Sequence, residues 1–133
     1  MIIQLDLQSD TPIYVQLKNQ IIEGIAAAKL APGEPLPSVR TMAADLGVNM
    51  HTVNKAYQLL KQDGFIQIHR QKGVIIHPAG EAKVDDIYLA KLVKELRPLL
   101  AEAKCRGMEK DHFYELCEQI FAEFAKAGED GKR

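Results

Sequence analysis

A chain of 133 residues sits near the size of one domain, so it can bury a real core and leaves room for one module with an appendage, not for two full-sized domains. With 47% hydrophobic and 26% charged residues and no low-complexity run, it reads as an ordinary globular protein and not as a disordered one. The formal net charge of −1 gives no bulk attraction to nucleic acid, and residues 1–78 carry only seven Lys/Arg against six Asp/Glu, so any DNA-binding face must be a local patch of cations.

The opening MIIQLDLQSD has no basic region followed by an apolar stretch, and no window approaches the roughly 18 apolar residues that cross a bilayer, so a cytoplasmic protein without a membrane partner is expected. Ile2, Leu5 and Leu7 form a short extended-looking segment. Thr11 is placed to cap a first helix, with Pro12 in its first turn. Ile13, Leu17, Ile21, Ile25 and Ala28 then recur at helical spacing as one apolar stripe. The run LAPGEPLP holds three prolines and a glycine and is expected to turn as a compact loop.

Ser38 caps a short second helix whose apolar positions are Met42, Ala43 and Leu46, and Gly47 stops it. Asn49 caps a third helix with Val53, Ala56, Tyr57 and Leu60 turned inward, ending at Asp63-Gly64. FIQIH and GVIIH, two β-branched runs around RQK, read as a hairpin. The expected fold is thus mainly α: an N-terminal winged helix-turn-helix of three helices plus a β-hairpin wing over residues 1–78, followed by a two-helix dimerisation hairpin over 79–133.

In that second part, Val84, Tyr88, Leu92, Leu96, Leu99 and Ala103 keep helical spacing from about Ala82, Gly107 interrupts, and Phe113, Leu116, Ile120, Phe121 and Phe124 resume it. Pro98 is expected to kink or break the first of these helices. Two amphipathic helices cannot cover their own stripes, which favours packing on a second copy over folding back onto the same chain. Cys105 and Cys117 lack metal or disulfide spacing and are expected as buried thiols. His51, His69, His77 and His112 are scattered, no catalytic or metal arrangement stands out, and neither enzyme activity nor a cofactor is expected. Asp85-Asp86 and Glu129-Asp130 read as solvated charge.

Function rests on the segment from Val39 to Tyr57. A helix-turn-helix needs a small residue at the crossing, a permissive residue at the turn and apolar residues holding down the second helix, and Ala43, Gly47, Val48, Val53 and Ala56 fall at those offsets. An ordinary helical bundle could show the same spacing. Arg40 and then Asn49, Met50, His51, Thr52, Asn54 and Lys55 are left pointing outward, and amides, a hydroxyl and cations suit base edges and phosphates in a major groove. Asn49 serves equally as a plain cap.

PIYVQL, LAPGEPLPSVR and LGVNMHTVNKAYQLLKQDGFI, in that order over about the first 75 residues, resemble the winged helix of GntR-type regulators, and the short tail resembles the YtrA-like branch. The resemblance implies a sequence-specific transcription regulator that binds a palindromic double-stranded operator as a homodimer, most simply as a repressor, in this branch of a transporter operon. It implies DNA contacts from Arg40, from Asn49 through Thr52 with Lys55, and from Arg70, Gln71 and Lys72 at the wing tip. The family often has glycine where Ala28 and Gln71 stand, and the branch often reads VNPNT where this chain reads VNMHT, so Met50 and His51 leave the operator bases unassigned. A winged helix used for protein assembly, and a small-molecule effector held between tail and wing domain, are the competing expectations.

Overall fold

The computed structural model describes residues 3–80 and 82–131, and for residues 129–131 the backbone alone. Ile2 and the side chains of Glu129 and Asp130 therefore lie outside the described residues. In chain order the elements are α1 (Ile13–Ala26), β1 (Pro35–Leu36), α2 (Val39–Leu46), α3 (Met50–Gln62), β2 (Ile66–His69), β3 (Gly73–Ile76), α4 (Asp86–Cys105) and α5 (Lys110–Gly131). The arrangement is mainly α, a winged helix-turn-helix succeeded by two helices.

The three N-terminal helices form because their apolar stripes meet. Leu17 and Ile21 of α1, Met42 and Ala43 of α2, and Val53, Ala56, Tyr57 and Leu60 of α3 are buried together with Leu36, Ile66, Val74 and Ile76 of the sheet. Each fully buried aliphatic side chain here stabilises the fold by roughly 1.5–3 kcal/mol before conformational entropy is charged against it. Ser38 caps α2 by accepting from the Thr41 amide at 3.1 Å, and its own hydroxyl donates to Thr41 Oγ1 at 3.0 Å. Gly47 ends that helix at φ 69°, a left-handed conformation that glycine enters without steric cost, and so turns the chain into α3.

α1 departs from expectation at both ends. Thr11 does not cap it; Pro12 occupies the cap position without a side-chain hydrogen bond, and its carbonyl accepts from the Val15 and Gln16 amides. Gln16 and Gln20 instead hold the preceding segment, each exchanging a pair of amide hydrogen bonds with one backbone unit, Gln16 with Asp6 and Gln20 with Gln4. Ile3 packs on the core, whereas Leu7 sits in a turn and is exposed. Ala28 does not continue the apolar stripe. The helix has closed at Ala27, and Ala28 is exposed with φ 57°, the left-handed conformation rare for a residue with a Cβ. The Lys29 amide bonds back to the Gly24 carbonyl at 2.8 Å and the Ala28 amide to the Ile25 carbonyl at 3.0 Å, the double closure of a Schellman turn.

The run LAPGEPLP is more than a loop, since Pro35 and Leu36 form a short third strand. The sheet order is β1-β3-β2, with Pro35 opposite Ile75 and Leu36 opposite Val74. The proline is tolerated because β1 lies on the edge. The wing hairpin pairs Ile66 with Ile76 and His69 with Gly73, leaving residues 70–72 as a three-residue turn. Gly73 takes φ +72°, the left-handed position such a turn requires, so Gln71 needs no glycine-like backbone.

The tail differs most from its sequence pattern. α4 starts at Asp86, not near Ala82, and Asp85 is its cap, accepting from the Tyr88 amide at 2.8 Å, so this pair is not merely solvated charge. The helix runs through Pro98 without a break; the Lys94 carbonyl that loses its amide partner lies on an exposed turn, where water can serve it. Cys105 and Cys117 are exposed, because none of the described residues covers the faces that carry them. α4 has no buried residue, and Val84, Ile87, Leu99 and Phe121 are more than 60% exposed. The far end of α5 packs on α1: Gly128 is buried, and a Cβ built there would lie 2.9 Å from the Ala27 carbonyl oxygen.

Candidate nucleic-acid interface

The interface is built on α3, whose inward face is locked and whose outward face is not. Val53, Ala56, Tyr57 and Leu60 are essentially inaccessible, at 0% exposure each. The Tyr57 hydroxyl donates to the Pro37 carbonyl at 2.8 Å across twenty residues, tying the middle of α3 to the residue that precedes the α2 cap. Burial holds that phenol neutral well above its ordinary range. This hydrogen bond links α3 to the entry of α2, and it is not visible in the pattern, where Tyr57 reads only as an apolar core position.

At the exposed start of α3, Asn49 caps the helix by accepting from the His51 amide at 2.7 Å. The side-chain oxygen is thus committed, and its amide NH2 is what remains for an outside partner. Met50 is 46% exposed, His51 and Asn54 are exposed, and Thr52 is half-buried. Asn54 Oδ1 accepts a long 3.5 Å hydrogen bond from Gln58 Nε2, one turn further along. No acidic residue lies in the first turns of α2 or α3, so the partial positive charge of each helix start is not neutralised locally.

Lys55 does not extend freely into solvent. Its ammonium stands 4.0 Å from the centroid of the Tyr14 ring, a cation–π contact that joins α3 to the first turn of α1. Tyr14 belongs to the PIYVQL segment, so the signal is present in the sequence, but helical spacing alone does not reveal which α3 side chain crosses to it. Arg40, in the first turn of α2, is exposed and makes no ion pair among the described residues. Arg70, Gln71 and Lys72 occupy the exposed wing turn. Behind that turn His69 Nε2 lies 2.8 Å from Gln67 Oε1, and Gln67 Nε2 lies 3.3 Å from His77 Nε2, a polar row along one side of the hairpin.

The candidate residues therefore fall into two groups, the α2 and α3 starts and the wing turn. Among the described residues no group of His, Cys, Asp or Glu side chains converges to hold a metal ion, and no helix is long and apolar enough to cross a membrane. An open groove of about 500 Å³ lies between α1 and α5, with Glu23, Lys29, Glu123 and Phe124 on its walls.

Comparison with known proteins agrees with this geometry. The profile of the bacterial regulatory proteins of the gntR family matches residues 13–76, from the start of α1 to the end of β3. The chain is similar to the HTH-type transcriptional repressor YtrA of Bacillus subtilis, with 32% identity over 121 residues that cover 91% of this chain and 93% of that protein. In structure it is similar to YtrA from Sulfolobus acidocaldarius, a GntR-family transcription factor (43% identity, TM-score 0.59, 72% of this chain and 97% of that one). It is also similar to a transcriptional antiterminator from Listeria monocytogenes (26% identity, TM-score 0.85, 93% and 92%). These relatives are regulators, not enzymes. The chain belongs to the GntR family of DNA-binding transcription regulators.

Proposed function

We propose that this protein is a homodimeric repressor of the YtrA-like branch, in which residues 1–78 bind DNA and residues 79–133 dimerise. The observation that carries the dimer is the uncovered tail: α4 has no buried residue, while Tyr88, Leu89, Val93, Leu99 and Leu100, which share one face at helical spacing, are all at least 44% exposed. A monomer rarely leaves so continuous an apolar surface to water, and a second copy related by a twofold axis would bury the same face on both chains.

In this reading α3 enters the major groove of each half-site. Asn49, Met50, His51, Thr52 and Asn54 approach base edges or phosphates, and Arg40 reads a guanine edge or holds a phosphate from the start of α2. The cation–π contact gives Lys55 a phosphate-facing role beside the start of α1, because its charge is held in place without being neutralised. Arg70, Gln71 and Lys72 bring the wing to the minor groove. Two such units on a twofold axis fit a palindrome with half-sites about one helical turn (roughly 34 Å) apart. The full-length likeness to a transcriptional repressor supports repression, and the branch resemblance supports control of a neighbouring transporter operon.

Two measurements test it. Sedimentation equilibrium at micromolar concentration should give twice the monomer mass, and fluorescence anisotropy with random duplex DNA should show binding that weakens steeply with salt. A monomer, or no binding to duplex at low salt, contradicts the proposal; the latter would favour use of the winged helix in protein assembly.

A further inference from the structure

We infer that Gly128 is a positioning residue for operator binding: the close seat of α5 on the last turn of α1 sets how each winged helix is held on the tail. The inference rests on the proposed dimer.

Gly128 lies within α5 without a left-handed backbone, so conformational freedom is not what calls for glycine there. Glycine is among the least favourable residues inside a helix, and its presence asks for a packing reason. The reason is the close approach. A Cβ at this position would lie 2.9 Å from the Ala27 carbonyl oxygen and 3.4 Å from the Ala28 methyl, and the nearer obstacle is backbone, which cannot swing away as a side-chain end would.

The surface that Gly128 meets is itself rigid. The α1 end is closed by the Schellman turn through Ala28, and Leu30 is buried behind it against Gly24, where an added Cβ would fall 2.9 Å from Leu30 Cδ1. Through Leu17 and Ile21, α1 shares one core with Val53 and Tyr57 of α3. Whatever moves α1 therefore moves α3. Among the described residues, α4 makes no sustained backbone approach to any other element, so this seat is where the tail takes hold of the DNA-binding unit.

A side chain at position 128 must lift α5 from α1 and re-aim the unit on its tail. In a dimer the separation of the two α3 helices changes, while each unit's own surface does not. Binding to a half-site should survive, and simultaneous engagement of two half-sites at fixed spacing should not.

The test uses full-length Gly128→Ala and Gly128→Val with duplexes carrying one half-site or the palindrome recovered by selection with the unaltered protein. Anisotropy should show half-site affinity within about twofold for both variants and palindrome affinity down by roughly tenfold for Gly128→Val, with Gly128→Ala between, as expected when geometry forbids double engagement. Sedimentation should still give dimers, and a fresh selection with Gly128→Val should return a different half-site spacing. Palindrome affinity unchanged in a helical, dimeric Gly128→Val overturns the inference and leaves the proposed function standing. Should Gly128→Val lose its helical signal, Gly128→Ala decides by the same comparison. An unaltered protein that is monomeric or selects no palindrome removes the proposed function and this inference together.

Discussion

Replacing Ala28 by glycine should stabilise the protein. Ala28 is the one non-glycine residue with positive φ among those described, at 57°, and it occupies the left-handed position that closes a Schellman turn. A Cβ in that conformation costs about 1–2 kcal/mol, which glycine does not incur. Ala28 is exposed, so removing its methyl group forfeits no core burial. Against the gain stands the larger freedom of glycine in the unfolded chain, worth about 0.4–1 kcal/mol. The net is a stabilisation of about 0.5–1 kcal/mol. For a chain of 133 residues the unfolding entropy at the midpoint converts this into a rise in Tm of about 2–4 °C. Thermal unfolding followed by circular dichroism at 222 nm would measure it on both proteins. An equal or lower Tm for Ala28→Gly would show that the turn is not strained, and would remove the account of how the α1 end is held.

Tyr57→Phe leaves the Pro37 carbonyl without its 2.8 Å donor in a partly buried place, and should destabilise by about 1–2 kcal/mol in urea titration. Because the buried phenol stays protonated where an unfolded tyrosine would ionise, native stability should fall as pH rises past about 10 and should fall less in Tyr57→Phe; parallel pH curves would contradict this. Arg40→Ala should weaken operator binding by about 1–3 kcal/mol for each half-site engaged if the guanidinium reads a guanine edge, and unchanged affinity in a gel-shift titration would take Arg40 out of the interface. Lys72→Ala should weaken binding to all duplexes alike and reduce the salt slope of log Kd by about 0.9 per subunit engaged, about 1.8 for the dimer, whereas a loss confined to the operator would contradict phosphate contact by the wing.

The core and the helix-turn-helix are legible in the sequence because they arise from periodicity and capping. Val53, Ala56, Tyr57 and Leu60 are all buried, Ser38 and Asn49 both cap, and Gly47 takes the left-handed conformation, each for a reason local to its own turn. What escapes a sequence reading depends on contacts between distant segments. Leu36 pairs with Val74 across 38 positions, and the Tyr57 hydroxyl finds the Pro37 carbonyl; neither leaves a spacing to read. Alanine fits a helix, so spacing puts Ala28 in the α1 stripe, yet the chain has already turned there, and only the backbone angle shows it. In the tail the apolar spacing is visible but its partner is not, so Cys105 and Cys117 read as interior residues and stand outside. The site residues are recognisable as exposed polar positions. That Asn49 is committed to its cap and Lys55 to Tyr14 requires coordinates.

Everything proposed for this protein's function depends on two copies of the chain presenting two α3 helices to a symmetric operator. Selection of bound sequences from a random duplex pool probes that arrangement with no intermediate assumption. The expected result is an inverted repeat whose half-sites lie about 10 base pairs apart, or a multiple of that, centre to centre. Recovery of a single unrepeated site, or of no preferred sequence at all, would contradict it.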